Sequence, residues 1–324
     1  MRNKMVKLFI GVDLGGTNTK IGCFNSDIKL LANTSVPTQA DMGPEFVSNK
    51  IAETVLQVVK QSGGSIDDVQ AIGIGAPGPA DLKRGIMLAA PNLPMFRNVP
   101  LSMMISKRTG KPAILENDAN AACYGEYVIG AGRGAEEMVF VTLGTGIGGG
   151  IVTKGHLVHG FADNAAELGH TIVKMDGRLC TCGQKGCVEA YASANQTVNR
   201  AVEAIEAGRA SSLAAIYRTK GRLTSKDVYE QAAAGDAMAN EITEVTAKVL
   251  GILCVNILHF TEPQKIVFAG GMIAAGDLLL SRIRYYFNQY IWTLKPENIE
   301  ICFATLGEHA GMIGCAALAK TISH

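Results

Sequence analysis

Three short stretches of the chain gather residue types that can do chemistry on a phosphate or a polyol. The first, DLGGTNTK, carries Asp13, Gly15, Gly16, Thr17, Asn18 and Lys20 in what reads as a tight strand-to-strand turn. Glycines in such a turn let backbone N–H groups approach phosphate oxygens, Thr17 and Lys20 add a hydroxyl and a positive charge, and Asp13 can hold a Mg²⁺-bound water. Alone, the same residues would also suit an ordinary hairpin. The second, LGTGIGGG, repeats the pattern with Gly144, Thr145 and Gly146. It formally fits G-x-G-x-x-G through Gly144, Gly146 and Gly149, but a dinucleotide site needs a helix directly after the glycines. The run GGGIVTKGHLVHG favours a strand, so a dehydrogenase is set aside. No G-x-x-x-x-G-K-[ST] occurs, which excludes a Walker-type loop. The third, LENDAN, closes an apolar run with Asn117 and Asp118. Polar groups at the carboxyl ends of strands commonly face a ligand crevice.

A cysteine cluster stands apart from these. CTCGQKGC supplies Cys180, Cys182 and Cys187, with His170 ten residues before the first. Three thiols cannot all pair with one another, whereas three thiolates and an imidazole complete a tetrahedral set for Zn²⁺. The spacing is tighter than a standard zinc ribbon, so from spacing alone a metal site and a group of buried thiols both stay open. Cys23, Cys123, Cys254, Cys302 and Cys315 lie singly in apolar stretches and read as small core residues.

The elements that must hold these groups follow from periodicity and turn chemistry. KLFIGVD, TKIGCF and KLLANTSV read as three strands of a meander, followed by a helix from Pro44 to Gln61 whose apolar positions recur at helical spacing. VQAIGIGAP and PAILEND read as strands, and Asp118 to Ile129 as a helix. EMVFVTLGTGIGGGIVTKGHLV then repeats the strand, glycine turn, strand plan of the N-terminus. Gly235 to Phe260 reads as a long helix, QKIVFAGG as a strand ending in a third glycine turn at Gly270 and Gly271, and His309 to Thr321 as a small-residue helix. A chain of 324 residues exceeds what one core usually supports, so two lobes with a ligand cleft between them are expected.

Bulk properties narrow the partners. A formal charge of +1 offers no electrostatic footprint for nucleic acid or an anionic membrane, and points to a small molecule. The apolar run near the N-terminus stops at Asp13 without a cleavage pattern, and no stretch approaches ~18 uninterrupted apolar residues. A cytoplasmic location is expected.

Two glycine hairpins and a later Gly-Gly turn, in that order, resemble the actin/hexokinase/Hsp70 superfamily. Within it, DLGGTNTK, GIGAPGP, PNLP, LENDAN, LGTGIGGG, AELGH, CTCGQKGCVE, AGGM and AGMIGCAALA resemble the ROK family (repressors, open reading frames, kinases) over essentially the whole chain. PNLPMFRNVPL and HGFADNAAELGH are most similar to its glucokinase-like members. The resemblance implies an α/β, two-lobed actin-like ATPase (ribonuclease H-like) fold with a duplicated β-meander/helix core and an interlobe cleft. Residues 1–117 would form the N-terminal lobe and 118–308 the C-terminal lobe with the adenosine site, and a helix over about 309–324 would pack back on the first. It further implies ATP-dependent phosphorylation of a hexose, first of all glucose, with N-acetylmannosamine and N-acetylglucosamine as alternative acceptors. Asp118 would be the catalytic base. Gly75, Asn92, Asn117, Asp118, Glu167, His170 and Glu189 would bind the sugar. Asp13, Gly15, Gly16, Thr17, Asn18, Lys20, Gly144, Thr145, Gly146, Gly270 and Gly271 would bind ATP with Mg²⁺, and His170, Cys180, Cys182 and Cys187 a structural Zn²⁺. The family also contains sugar-responsive repressors with a DNA-reading helix-turn-helix before the first glycine loop; here that loop's strand starts by about residue 7, so a kinase is expected in preference to a regulator. Homodimers or homotetramers are common in the family.

Overall fold

Alternation of β-branched and small residues around DLGGTNTK makes two strands that fold back on each other, and the rest of the chain is built around that hairpin and its later copy. The computed structural model describes residues 7–90, 93–292 and 299–323. The first part runs β1 (Leu8–Leu14), β2 (Asn18–Phe24), β3 (Leu30–Pro37), α1 (Gly43–Gln61), β4 (Val69–Ala76), β5 (Ala80–Asp81), β6 (Ile86–Met87), α2 (Leu101–Thr109), β7 (Ala113–Asn117) and α3 (Asp118–Ile129). There follow β8 (Glu137–Leu143), β9 (Ile147–Thr153), β10 (His156–Leu157), α4 (Glu189–Ala192), α5 (Ala194–Glu206), α6 (Ser212–Lys220), α7 (Ser225–Ala233) and α8 (Ala237–Thr261). The chain ends with β11 (Lys265–Ala269), α9 (Asp277–Tyr290), β12 (Glu300–Phe303) and α10 (Ala310–Thr321).

Two five-stranded sheets result, ordered β3-β2-β1-β4-β7 and β10-β9-β8-β11-β12. In each, three strands form an antiparallel meander and two more join in parallel, so the second sheet repeats the first strand for strand. This is the duplicated α/β architecture expected from the sequence. One face of the first sheet packs on α1 and α2 through Ile10, Val12, Val55 and Ile105, and the other receives α10 through Phe9, Ala71, Met312 and Ala316. The second sheet packs on α8 and α9 through Val139, Leu250 and Ile283, and its other face takes Cys123 of α3. Helices α3 and α10 therefore lie between the sheets, each serving one of them, and they touch each other. Their contact requires glycine, since a Cβ on Gly314 would stand 1.7 Å from Ala121 O. The seat of α10 on β4 requires another, since a Cβ on Gly73 would stand 1.9 Å from Cys315 O. The small-residue run AGMIGCAALA is thus dictated by close backbone packing.

Helix starts obey local chemistry. Asp236 accepts Ala239 N–H at 2.9 Å and sets the beginning of α8, two residues after the expected Gly235. A single turn at Gly307–His309 precedes α10, which begins one residue later than expected. The segments α2, α5, α6, α7, α9 and β12 lie outside the elements read from the sequence; α5 to α7 bury a separate cluster that includes Ala201, Leu213, Val228 and Met238. Of the lone cysteines, Cys302 on β12 is half-buried while the other four are fully enclosed. Among the described residues, α8 is long and apolar enough to cross a bilayer, but 67% of its apolar window is buried, as suits a core helix.

Candidate active site

The carboxyl ends of the parallel strands converge on one open cleft of about 540 Å³. Its wall takes Asp13 and Lys20 from the first hairpin, Asp118 and Ala119 from α3, Thr142, Gly144, Thr145 and Gly146 from the second hairpin, Gly270 after β11, and Gly307, Glu308 and Gly311 around the start of α10. Residues from opposite ends of the chain are brought together because both sheets point the same ends of their strands inward.

Asp13 and Lys20 are direct cross-strand partners in the first hairpin. Burial pushes the Asp13 carboxyl up to about 6, the charge of Asp118 adds to this, and Lys20 opposes it. Lys20 Nζ donates to Glu308 Oε2 and to Glu308 O, both at 3.0 Å, so it tethers the α10 approach to the hairpin. Gly15 N–H donates to Asn18 O at 3.1 Å and closes the turn. Gly15, Gly16, Thr17 and Asn18 belong to this turn at the edge of the cleft, and the wall itself is formed by the strand residues on either side. The second turn is closed by Gly144 N–H to Gly146 O at 3.0 Å. Gly270 lines the same cleft, while Gly271 opens a helix turn behind it.

Asp118 is the first residue of α3. Asn117 caps that helix, its Oδ1 accepting Ala119 N–H at 2.9 Å and Asn120 N–H at 3.2 Å. Asp118 Oδ1 also accepts Ala119 N–H, at 2.8 Å, which fixes its rotamer. The residue is open to solvent at the mouth of the cleft, but protein surrounds its carboxylate on the other sides. That enclosure raises it above the usual carboxylate range, against the lowering effect of the Ala119 N–H.

The sugar-side expectations are distributed unevenly. Glu189 lines the cleft, but its Oε2 accepts Ile147 N–H at 2.8 Å and its Oε1 accepts the Thr181 hydroxyl at 3.1 Å, so it clamps the second hairpin to the cysteine loop. Gly75 is buried, not part of the wall: a Cβ there would stand 2.9 Å from Cys315 Sγ and 3.3 Å from Ala121 Cβ. It allows α3 and α10 to close on β4. Glu167 is exposed at the head of the single turn Leu168–His170. Asn92 lies outside the described residues.

His170, Cys180, Cys182 and Cys187 place one donor atom each within 4.8 Å of one another. Cys182 and Cys187 Sγ are 3.8 Å apart, and His170 Nδ1 is 3.8 Å from Cys180 Sγ. Four thiolate or imidazole donors around a tetrahedral ion with Zn–S near 2.3 Å would be separated by about 3.8 Å, so the set fits such an ion. The loop is held by Arg178 N–H donating to Tyr191 Oη at 2.7 Å and by Gly186 N–H to Arg178 O at 2.8 Å. Gly186 has φ of 83°, and a Cβ there would meet Lys174 O at 1.9 Å, so only glycine suits it.

Two carboxylates escaped the sequence reading. Glu126, fully buried in α3, accepts Ala131 N–H at 2.8 Å and Leu306 N–H at 2.7 Å, and so fixes the approach to α10. Glu116 on β7 joins His159 at 2.8 Å. The only signals were an acid near the end of an apolar run and a histidine in a loop, and neither specifies its partner.

The sequence model of the ROK family matches residues 9–322. A glucokinase of Thermotoga maritima is 38% identical over 311 residues, spanning 96% of this chain and 96% of that one. A glucokinase of Halalkalibacterium halodurans is 37% identical over 313 residues, 96% of this chain and 94% of that one. The crystal structure of a ROK family glucokinase from Streptomyces griseus in complex with glucose and AMPPNP matches with a TM-score of 0.78 at 35% identity, over 97% of this chain and 99% of that one.

Proposed function

The chain belongs to the ROK family, and on that premise we propose that its cleft transfers the terminal phosphoryl group of MgATP to a hydroxyl of glucose. It is a glucokinase-like sugar kinase. The observation that carries the reading is the convergence of Asp13, Asp118, Lys20 and the glycines at Gly144, Gly146 and Gly270 on one cleft into which the first turns of α3 and α10 also open. Asn117 caps α3, whereas α10 has no side-chain cap and its Ala310 N–H donates to Gly307 O of the preceding turn. Backbone N–H groups at a helix start are ready donors to phosphate oxygens, and the glycine turns add further N–H groups.

Phosphoryl transfer demands in-line positioning and charge neutralisation more than covalent chemistry. Asp118 accepts the proton of the attacking sugar hydroxyl as its oxygen bonds to the terminal phosphorus; the bond from that phosphorus to the bridging oxygen breaks, and ADP departs. Enclosure of its carboxylate raises its pKa, and it must be ionised to act. Asp13 would hold water on the nucleotide's Mg²⁺, and Lys20, released from Glu308, would face the phosphates. Asn117, Glu167 and His170 would bind the sugar. Closure of residues 1–117 over 118–308, with α10 belonging to the first lobe, would exclude water.

His170, Cys180, Cys182 and Cys187 would hold a structural Zn²⁺, which would keep the loop next to Glu189 in one conformation. Nδ1 faces the thiols, leaving Nε2 of His170 for a sugar hydroxyl. A homodimer or homotetramer, a cytoplasmic location and a role at the entry of glycolysis rest on the family resemblance. The reading is tested by following ADP release with MgATP across glucose, mannose, N-acetylmannosamine and N-acetylglucosamine. Turnover with glucose above the rest is expected, and no hexose-dependent ADP release would refute it.

A further inference from the structure

Beside the cleft lies a buried carboxylate to which the reaction assigns no task. Glu116 is 5% exposed, next to last in β7. Its Oε1 accepts Asn117 N–H at 2.9 Å and Asn120 Nδ2–H at 3.0 Å. Its Oε2 accepts Nε2–H of His159 at 2.8 Å. One side chain therefore grips both the turn that presents Asp118 and a segment that follows the second sheet's meander.

That segment continues from His159 through Asp163 and Glu167 to His170. It is tied to the first half of the chain a second time, where Asp163 Oδ2 accepts Leu82 N–H at 3.0 Å. We propose that Glu116 and His159 are positioning residues for sugar capture, holding the 159–170 segment against the Asn117–Asp118 corner so that both sides of the hexose site are set before the sugar arrives. This rests on the sugar-kinase reading above. A hydrogen bond between a buried carboxylate and an imidazolium is among the stronger ones a protein makes. It joins groups 43 positions apart, which no local turn would hold.

The pair also has a titration signature. The Glu116 hydrogen bond raises the His159 pKa, partial burial opposes this, and Asp163 adds to the rise. The charged groups facing His159 are thus Glu116 from β7 and Asp163 from its own segment, and Asn120 of α3 is neutral. As pH rises through the raised value the imidazolium is lost, the tie weakens, and the sugar KM should climb. In Glu116→Gln the imidazolium loses its counter-charge, so the climb should begin at lower pH.

Steady-state kinetics of the full chain across pH ~5.5 to ~9 would test this. His159→Ala should raise the hexose KM about ten- to a hundredfold, with the ATP KM within about twofold. Glu116→Gln should shift the pH dependence of the hexose KM downward. Equal hexose KM values in wild type and both variants, or hexose and ATP constants rising together, would overturn the proposal. Should His159→Ala not fold, His159→Gln keeps an N–H donor without a titrating ring; a hexose KM that still follows pH in that variant overturns the proposal equally. Hexose binding measured by calorimetry without nucleotide separates the two readings. Weaker binding in the variants without any turnover in the wild type would sink the kinase reading and leave the tie standing.

Discussion

The two glycine hairpins share one design and differ in the residues that they pair next to the turn. In the first, Leu14 pairs with Thr19 and four residues turn; in the second, Leu143 pairs with Ile147 and three residues turn. One step back from each turn the contrast is sharper: the first hairpin sets Asp13 opposite Lys20, the second sets Thr142 opposite Gly148. The first hairpin presents a charged pair to the cleft, and the second presents no ionisable group of its own, its Ile147 N–H being held by Glu189. Duplication supplied two hairpins of one plan, and only the first pairs ionisable groups next to its turn.

The largest effect is expected at Asp118, which stands between the two hairpins. Asp118→Asn should lower kcat by about 10²–10⁴-fold while nucleotide binding, measured by calorimetry, stays close to wild type. Near-normal turnover would show that Asp118 is not the base. Next in size is the cysteine loop. Metal removal by a chelator, or Cys182→Ser, should weaken hexose binding by about 10- to 100-fold, more than it weakens ATP binding. Equal sugar affinity with and without metal would detach that loop from the sugar site.

Substitutions in the second turn sharpen the comparison further. A Cβ on Gly146 would stand 2.5 Å from Glu189 Oε2, while one on Gly144 meets nothing nearer than 3.9 Å. Gly146→Ala should therefore cost about 1–3 kcal/mol in a denaturant titration, because Glu189 must leave the Ile147 N–H, and Gly144→Ala should cost well under ~1 kcal/mol. The opposite ranking would mean that Glu189 does not steady this turn. A further test concerns pH. Because the folded state raises Asp13 to about 6, it holds that proton more tightly than the unfolded chain does. Stability of the nucleotide-free protein should then fall as pH rises from about 4 to about 6, with a slope below ~1.4 kcal/mol per pH unit. Asp13→Asn should flatten that part of a denaturation profile, and an unchanged profile would show that Asp13 is not perturbed.

Much of the architecture was legible because it is written locally. Both hairpins, the long α8 and the small-residue α10 followed from periodicity and glycine placement, and CTCGQKGC with His170 forms a cluster in space, where spacing alone left a metal site and buried thiols both open. Glu189 and Gly75 make contacts that no spacing announces. Each belongs to the site region, but one clamps a backbone amide and the other makes room for two helices. Lys20 with Glu308, Glu126 with Leu306 and Glu116 with His159 were invisible, since their partners lie 288, 180 and 43 positions away.

What the sequence determined by itself were the strands, turns and caps, whose energetics depend on residues a few positions apart. What the tertiary structure alone decided was which acids face the cleft, which are consumed as struts, and how far each is lifted from its ordinary pKa. The physical reason is that burial and charge–charge interaction depend on distances across the fold, and those distances exist only once the two sheets have closed on α3 and α10.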